Sequence, residues 1–250
     1  MTDTPTAAMI VVGDEVLSGR TQDANTQKLA KMLNEQGIDL CEARAIRDDH
    51  DVIVETVNAL RGRYTYVFTS GGIGPTHDDI TAEAVAAAME TPIGIRDDAR
   101  AILVGRYGEG ADLTDARLRM ARIPDGAALI DNPVSGAPGF RLENVFVMAG
   151  VPQVFAVMLD HVRTMVGTGE PMKDISIPCP YPEGVLGGPL TDVSAAHPDV
   201  SIGSYPRLQT GGGWGVTIVA RSRDAEALAK AAGAIHTMLA SLEGSTTEGE

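Results

Sequence analysis

The sequence is short of cysteine, short of basic charge and free of long apolar runs, and each shortage excludes something. Its two cysteines, Cys41 and Cys179, form no CxxC pair. They are too few for a disulfide framework, which points to a reducing compartment. Lysine and arginine total 20 against 34 acids, a formal net charge of −14. A duplex nucleic acid calls for a basic face that displaces counterions from phosphates, so no nucleic-acid partner is expected. No apolar run approaches the roughly 20 residues of a membrane helix, and the first six residues lack the basic and apolar regions of a signal peptide. The expected location is cytoplasmic, with no membrane partner.

Familiar catalytic signatures are also missing. There is no GxxxxGK[ST], GxGxxG, HExxH or GxSxG in the chain, which excludes P-loop kinase, classical dehydrogenase, zincin and lipase readings.

What is there is 250 residues with 44% hydrophobic content, enough for one large α/β unit or a main domain with a small companion. The first 90 residues alternate short β-rich runs with helical spacing. Ala7 to Gly13, Ile38 to Arg47 and Tyr64 to Ser70 read as strands; Asp23 to Gln36, Asp51 to Leu60 and Asp79 to Met89 read as helices. Three such repeats with short connections predict right-handed crossovers and a mostly parallel, doubly wound sheet covered on both faces. Further helices are expected at Asp97 to Tyr107, Thr114 to Ala121 and Gln153 to Val166, and a buried strand at Asn144 to Ala149.

Gly167 to Pro171 reads as a linker that closes an α/β domain over residues 1–167. Residues 171–243 should form a small α+β module, with strands at Asp174 to Cys179, Val200 to Tyr205 and Gly215 to Arg221. Its expected helices are Pro189 to His197 and Asp224 to Leu242, and Gly211 to Trp214 reads as a hairpin tip. The segment 244–250 is expected to be an unstructured tail.

The loop Ser70-Gly71-Gly72-Ile73-Gly74-Pro75-Thr76-His77-Asp78-Asp79 stands between a strand and a helix, where open α/β sheets bind ligands. Its glycines allow successive backbone N–H groups to converge on an anion, or they only serve a tight turn. One carboxylate at a helix start is explained by capping. Two beside a phosphate are not: at about 4 Å and an effective dielectric of 20 each pair of like charges costs roughly 4 kcal/mol. Either no phosphate binds there, or a hard divalent cation bridges carboxylate and phosphate. Asp48-Asp49-His50-Asp51 and Asp14-Glu15 follow two other strands, so a parallel sheet brings all three acidic groups to one edge.

Four ordered motifs carry a family resemblance: Gly13-Asp14-Glu15-Val16-Leu17-Ser18-Gly19, Thr69 to Thr81, Asn132-Pro133 with Ala137-Pro138-Gly139-Phe140, and Gly150-Val151-Pro152. Together they resemble the molybdopterin-binding domain of the competence/damage-inducible protein A (CinA-like) family, a domain that also occurs in molybdenum-cofactor biosynthesis proteins and beside FAD synthetases. The resemblance implies a pterin or nucleotide phosphate held by Ser70, Gly71, Gly72, Ile73, Gly74, Pro75 and Thr76, with Asp14, Glu15, Pro138 and Gly139 near the ligand. It matches Asp79 to the aspartate that ends the Gly-rich loop and Asp49 to the second acid of the family's paired aspartates, both linked to chemistry at the phosphate.

His77 and Asp78 stand where cofactor-pathway relatives carry basic residues. That departure favours a divalent-metal-dependent pyrophosphatase over molybdopterin adenylylation, with ADP-ribose or FAD as the type of substrate, Mg²⁺, Mn²⁺ or Co²⁺ as cofactor, and Asp79, Asp78 and Asp49 as its ligands. A non-catalytic pterin-binding protein and a regulatory module remain open alternatives. The expected partners are a small phosphorylated ligand and further copies of the chain, as a dimer or trimer. The amidase domain of longer family members has no room in these 250 residues, and deamidation is not expected.

Overall fold

A computed structural model describes residues 4–108, 113–209 and 213–246, which divide into one unit over 1–170 and a second over 171–250. Among the described residues no helix is long and apolar enough to cross a membrane.

The first unit begins with β1 (Thr6–Val12), buried from Ala7 onward. Its side chains alternate between two cores. Ala8, Ile10 and Val12 enter one cluster, and Ala7, Met9 and Val11 enter another. A strand buried on both faces has no polar side, so its sequence is continuous hydrophobe rather than alternation. After α1 (Asp14–Leu17), α2 (Asn25–Glu35) sets Leu29, Met32 and Leu33 on the second face. It is followed by Gly37 at φ 71°, and the chain returns as β2 (Asp39–Ile46).

Then α3 (His50–Arg61) packs Ile53, Val57 and Leu60 on the first face. β3 (Tyr66–Ser70) and α4 (Thr81–Ala88) complete the third repeat. A peripheral region follows: β4 (Ile93–Ile95), α5 (Asp97–Tyr107), α6 (Asp115–Arg119) and β5 (Arg122–Pro124), in which β4 and β5 pair antiparallel. β6 (Ala128–Ile130), β7 (Gly139–Leu142) and β8 (Val145–Met148) lead into α7 (Pro152–Met165). This helix covers the second face with Phe155, Met158, Leu159 and Val162.

The six-stranded sheet runs β2-β1-β3-β8-β7-β6. Its first four strands are parallel, β7 alone runs the opposite way, and β6 pairs antiparallel with β7, with helices on both faces. The architecture is the doubly wound, mostly parallel α/β sheet. Four strands, β4 to β7, are three or four residues long and lie outside the strands read from periodicity.

The second unit holds β9 (Lys173–Cys179), α8 (Glu183–Ala196), β10 (Ser201–Gln209), β11 (Gly213–Ser222) and α9 (Ala225–Thr246). Its antiparallel sheet has the order β10-β11-β9, and Ile177, Leu186, Ile218, Ala231 and Ile235 form its core. Three expectations are corrected. α8 begins six residues before Pro189 and continues through it. α9 extends past Gly244 to Thr246, so the start of the expected tail is helical, and 247–250 lie outside the described residues. Of the expected hairpin tip, Gly213 and Trp214 belong to β11, and Gly211 and Gly212 lie outside the described residues.

Candidate active site

Because β1, β2, β3 and β8 are parallel, the loops that follow them meet on one edge of the sheet. A cleft of about 700 Å³ opens there, within the usual range for small-molecule sites. The loop after β3 forms one part of it. Gly71 (φ 108°) and Gly72 (φ 68°) both occupy backbone regions that side chains resist. A Cβ on Gly71 would strike the Val12 carbonyl oxygen, and one on Gly72 would strike the Thr81 hydroxyl. These two glycines let the loop lie against the strand ends.

Gly71 N–H donates to the Met148 carbonyl at 3.1 Å, and Thr81 N–H donates to the Gly72 carbonyl at 2.9 Å. The N–H groups of Gly72, Ile73 and Gly74 donate to no acceptor among the described residues, and all three residues line the cleft. Three consecutive free amides beside a cavity are the elements of an anion cradle.

The loop carries Asp79 two residues before α4 rather than at its start. The N-cap position is Ile80, with no side-chain cap. Asp79 Oδ2 accepts from Thr76 N–H at 2.8 Å and from the Thr76 hydroxyl, closing the turn, and the Asp79 carboxylate faces the cleft next to Gly74. Asp78 lines the same cleft and is mostly exposed.

The two aspartates after β2 separate. Asp49 Oδ1 accepts from Asp51 N–H at 3.0 Å and Val52 N–H at 3.1 Å, which makes it the N-cap of α3, and it is absent from the cleft lining. Asp49, expected at the ligand, is thus engaged through Oδ1 as a helix cap in this structure. Asp48 lines the cleft instead, half-buried. Its Oδ2 accepts from Asp14 N–H at 2.8 Å. Burial, with Glu15, Asp14 and Asp78 nearby, pushes its carboxyl above the ordinary aspartate value.

Glu15 and Pro75 reach the cleft; Asp14 pairs with Arg47 at 3.3 Å at its margin. Ser70 is buried below the cleft, its Oγ accepting from Asn25 Nδ2 at 2.7 Å. The same amide donates to the Gly150 carbonyl at 2.8 Å, tying α2 to two site loops. Two further residues were expected near the ligand. Pro138 lines a small hollow beside Gly74, and Gly139 begins β7, where a Cβ would strike the Val147 carbonyl oxygen and the Met158 methyl. Asn132, Ser135 and Ala137 of that segment face the cleft. Tyr107 and Arg117 also line it; neither belongs to a motif, so sequence spacing gave no sign of them.

Residues 8–166 match a family profile described as "Probable molybdopterin binding domain". The chain belongs to the molybdopterin-binding domain family. Residues 172–244 match a second profile, "FAD synthase, middle domain". A "Probable FAD synthase" of Caenorhabditis elegans is 32% identical over 230 residues, covering 82% of this chain and 44% of that protein, so the chain spans less than half of that relative's length. A protein of Pyrococcus furiosus is 30% identical over 239 residues, covering 90% of this chain and 93% of its own. The crystal structure of CinA, a protein of unknown function from Thermoplasma acidophilum, superposes with TM-score 0.61 at 33% identity, covering 66% of this chain and 99% of that one. The CinA-like resemblance thus holds in fold and in sequence.

Among the described residues of this molybdopterin-binding domain, no three acid, histidine or cysteine groups converge on a common point. The described residues alone therefore offer no closed metal cage. Mg²⁺ commonly takes only one or two carboxylates and fills its shell with water and substrate phosphate oxygens, and Asp48, Asp78 and Asp79 fit that looser requirement.

Proposed function

We propose that the cleft binds the pyrophosphate of a nucleotide diphosphate and hydrolyses it with a divalent cation. The observation that carries this reading is the coincidence, in one cleft, of three free loop amides with the carboxylates of Asp48, Asp78, Asp79 and Glu15. Amides alone favour an anion, while carboxylates alone repel one. A bound cation would offset that repulsion and polarise the phosphoryl group toward water.

The residues themselves have separable tasks. The Gly72, Ile73 and Gly74 amides hold nonbridging oxygens. Asp79, fixed by Thr76, and Asp78 hold the cation or orient the water, and Asp48 supplies a further carboxylate. Water adds to one phosphorus, the bridging P–O bond breaks, and two monophosphates leave, with the water's proton passing to solvent. The name of the nematode relative makes FAD the first substrate to test, with ADP-ribose beside it.

Turnover is measured as release of AMP from FAD and ADP-ribose with Mg²⁺, Mn²⁺ and Co²⁺. Asp79→Asn should lower it by about a hundredfold or more while the melting temperature barely moves, since asparagine still accepts from Thr76 N–H. Asp49→Asn should leave turnover and stability near wild type, because asparagine caps a helix about as well as aspartate. Tight binding with no release of AMP under any of the three metals would exclude hydrolysis in favour of a carrier. Turnover surviving Asp79→Asn at full rate would remove that residue from the chemistry.

A further inference from the structure

The phosphate reading leaves one part of the cleft unused. Tyr107, at the last position of α5, and Arg117, in α6, line the same cavity as Gly71 to Gly74. Arg117 Cζ lies over the Tyr107 ring, 4.2 Å from its centroid. Arg117 is the only basic side chain among the described residues lining the cleft.

Its neighbour is an aromatic ring, as it is for Arg63 over Tyr64 and Arg141 over Phe146. Acids outnumber bases, and Arg44, Arg63, Arg96, Arg119, Arg122 and Arg163 each reach a carboxylate within 4.0 Å. Arg117 reaches none among the described residues, although the cleft it lines holds four carboxylates. A guanidinium over an aromatic ring is a flat, weakly hydrated surface with a second face to offer, and it accepts another plane. Tyr107 also keeps 37% of its surface exposed, and Met120 adds a polarizable thioether to the same part of the lining.

We propose that Tyr107 and Arg117 form the stacking platform for a planar nitrogen heterocycle, purine or flavin, on the ligand whose phosphates the Gly-rich loop holds. The inference rests on the phosphate reading and deepens it: the loop sets affinity for the pyrophosphate, and the platform sets which nucleotide is chosen. Base stacking on aromatic and guanidinium planes is tolerant of base identity but demands a base.

The test compares binding of methylenediphosphonate, which has no base, with that of α,β-methylene-ADP, by calorimetry on the full chain in Mg²⁺. Adenosine and riboflavin serve as phosphate-free probes. Wild type should prefer α,β-methylene-ADP by about tenfold or more. Tyr107→Ala and Arg117→Lys should each erase most of that preference while methylenediphosphonate affinity stays within about twofold, and Tyr107→Phe should retain it. Arg117→Lys keeps the charge and Tyr107→Phe the ring, so neither conclusion depends on a variant that fails to fold.

Equal loss for both phosphonates would make Arg117 a phosphate ligand and overturn the platform, as would no loss for either. Equal wild-type affinity for both would overturn it too, leaving the phosphate reading in place. Conversely, adenosine or riboflavin binding that Tyr107→Ala removes, with no methylenediphosphonate binding, would uphold the platform and refute the phosphate reading. Binding of none of the four probes would overturn both.

Discussion

Asp48 holds a half-buried carboxylate among Asp14, Glu15 and Asp78, and each neighbour adds to the cost of its charge. Its carboxyl is raised above the ordinary aspartate value, so the folded state keeps a proton that the unfolded chain has already lost. Stability therefore falls as pH rises from near the unfolded aspartate value through the raised folded value. In metal-free protein, Asp48→Asn should raise the melting temperature at pH 7, and the gain should vanish by about pH 3, where both states are protonated. A melting temperature that does not rise at pH 7, or a gain that persists at pH 3, would contradict the burial argument. Asparagine can still accept from Asp14 N–H, so lost hydrogen bonding does not blur the result. The Asp48 and Asp49 pair also marks how finely sequence resolves a site. The acidic cluster after β2 was legible, but its members were not distinguishable, because one residue's difference in the helix start decides which carboxylate caps and which faces the cleft.

The connection from β3 to α4 shows how an element constrains its loop. Thr81 opens α4 fully buried, with its hydroxyl lacking a hydrogen-bond partner among the described residues, and the space above that hydroxyl is where a Cβ on Gly72 would fall. A side chain at 72 therefore points into the start of the helix and away from any ligand. Gly72→Val is accordingly expected to lower the melting temperature, through positive φ and displacement of Thr81, as well as to weaken binding. An unchanged melting temperature with lost binding would instead mean that the side chain blocks the phosphate directly. Elements with strong periodicity were readable: β1, α2, α3 and α7 each present a full apolar face to a core. The short strands β4 to β7 carry too few residues for a period to register. The Gly-Gly-Pro run at Gly187 to Pro189 hid the first turns of α8, because both residue types oppose a helix interior and Leu186, packed in the small core, overrides them. Tyr107 and Arg117 belong to separate helices of the peripheral region, and only the fold brings them together.

On the scale of the whole chain, the distribution of buried residues separates the two units. Both clusters that flank the six-stranded sheet draw all their buried members from residues 7–166, and the third draws all of its members from 177–238. Strand pairing follows the same division: among the described residues no sheet takes strands from both units. A folding unit needs its own core, and the described residues of 1–170 possess two core clusters and a complete six-stranded sheet, together with every described residue that lines the cleft. A fragment ending at Glu170 should consequently unfold in one cooperative thermal transition, retain its near-UV circular dichroism, and bind α,β-methylene-ADP with the affinity of the full chain. The segment 171–250 buries a single smaller cluster under three strands, and by surface-to-volume scaling should be the less stable piece when isolated. If fragment 1–170 instead binds a hydrophobic dye and loses its near-UV signal while keeping helical far-UV intensity, its two clusters do not suffice and the second unit is required for packing. If it folds but loses nucleotide affinity, the cleft draws on residues beyond 170, and the assignment of the whole site to the first unit fails.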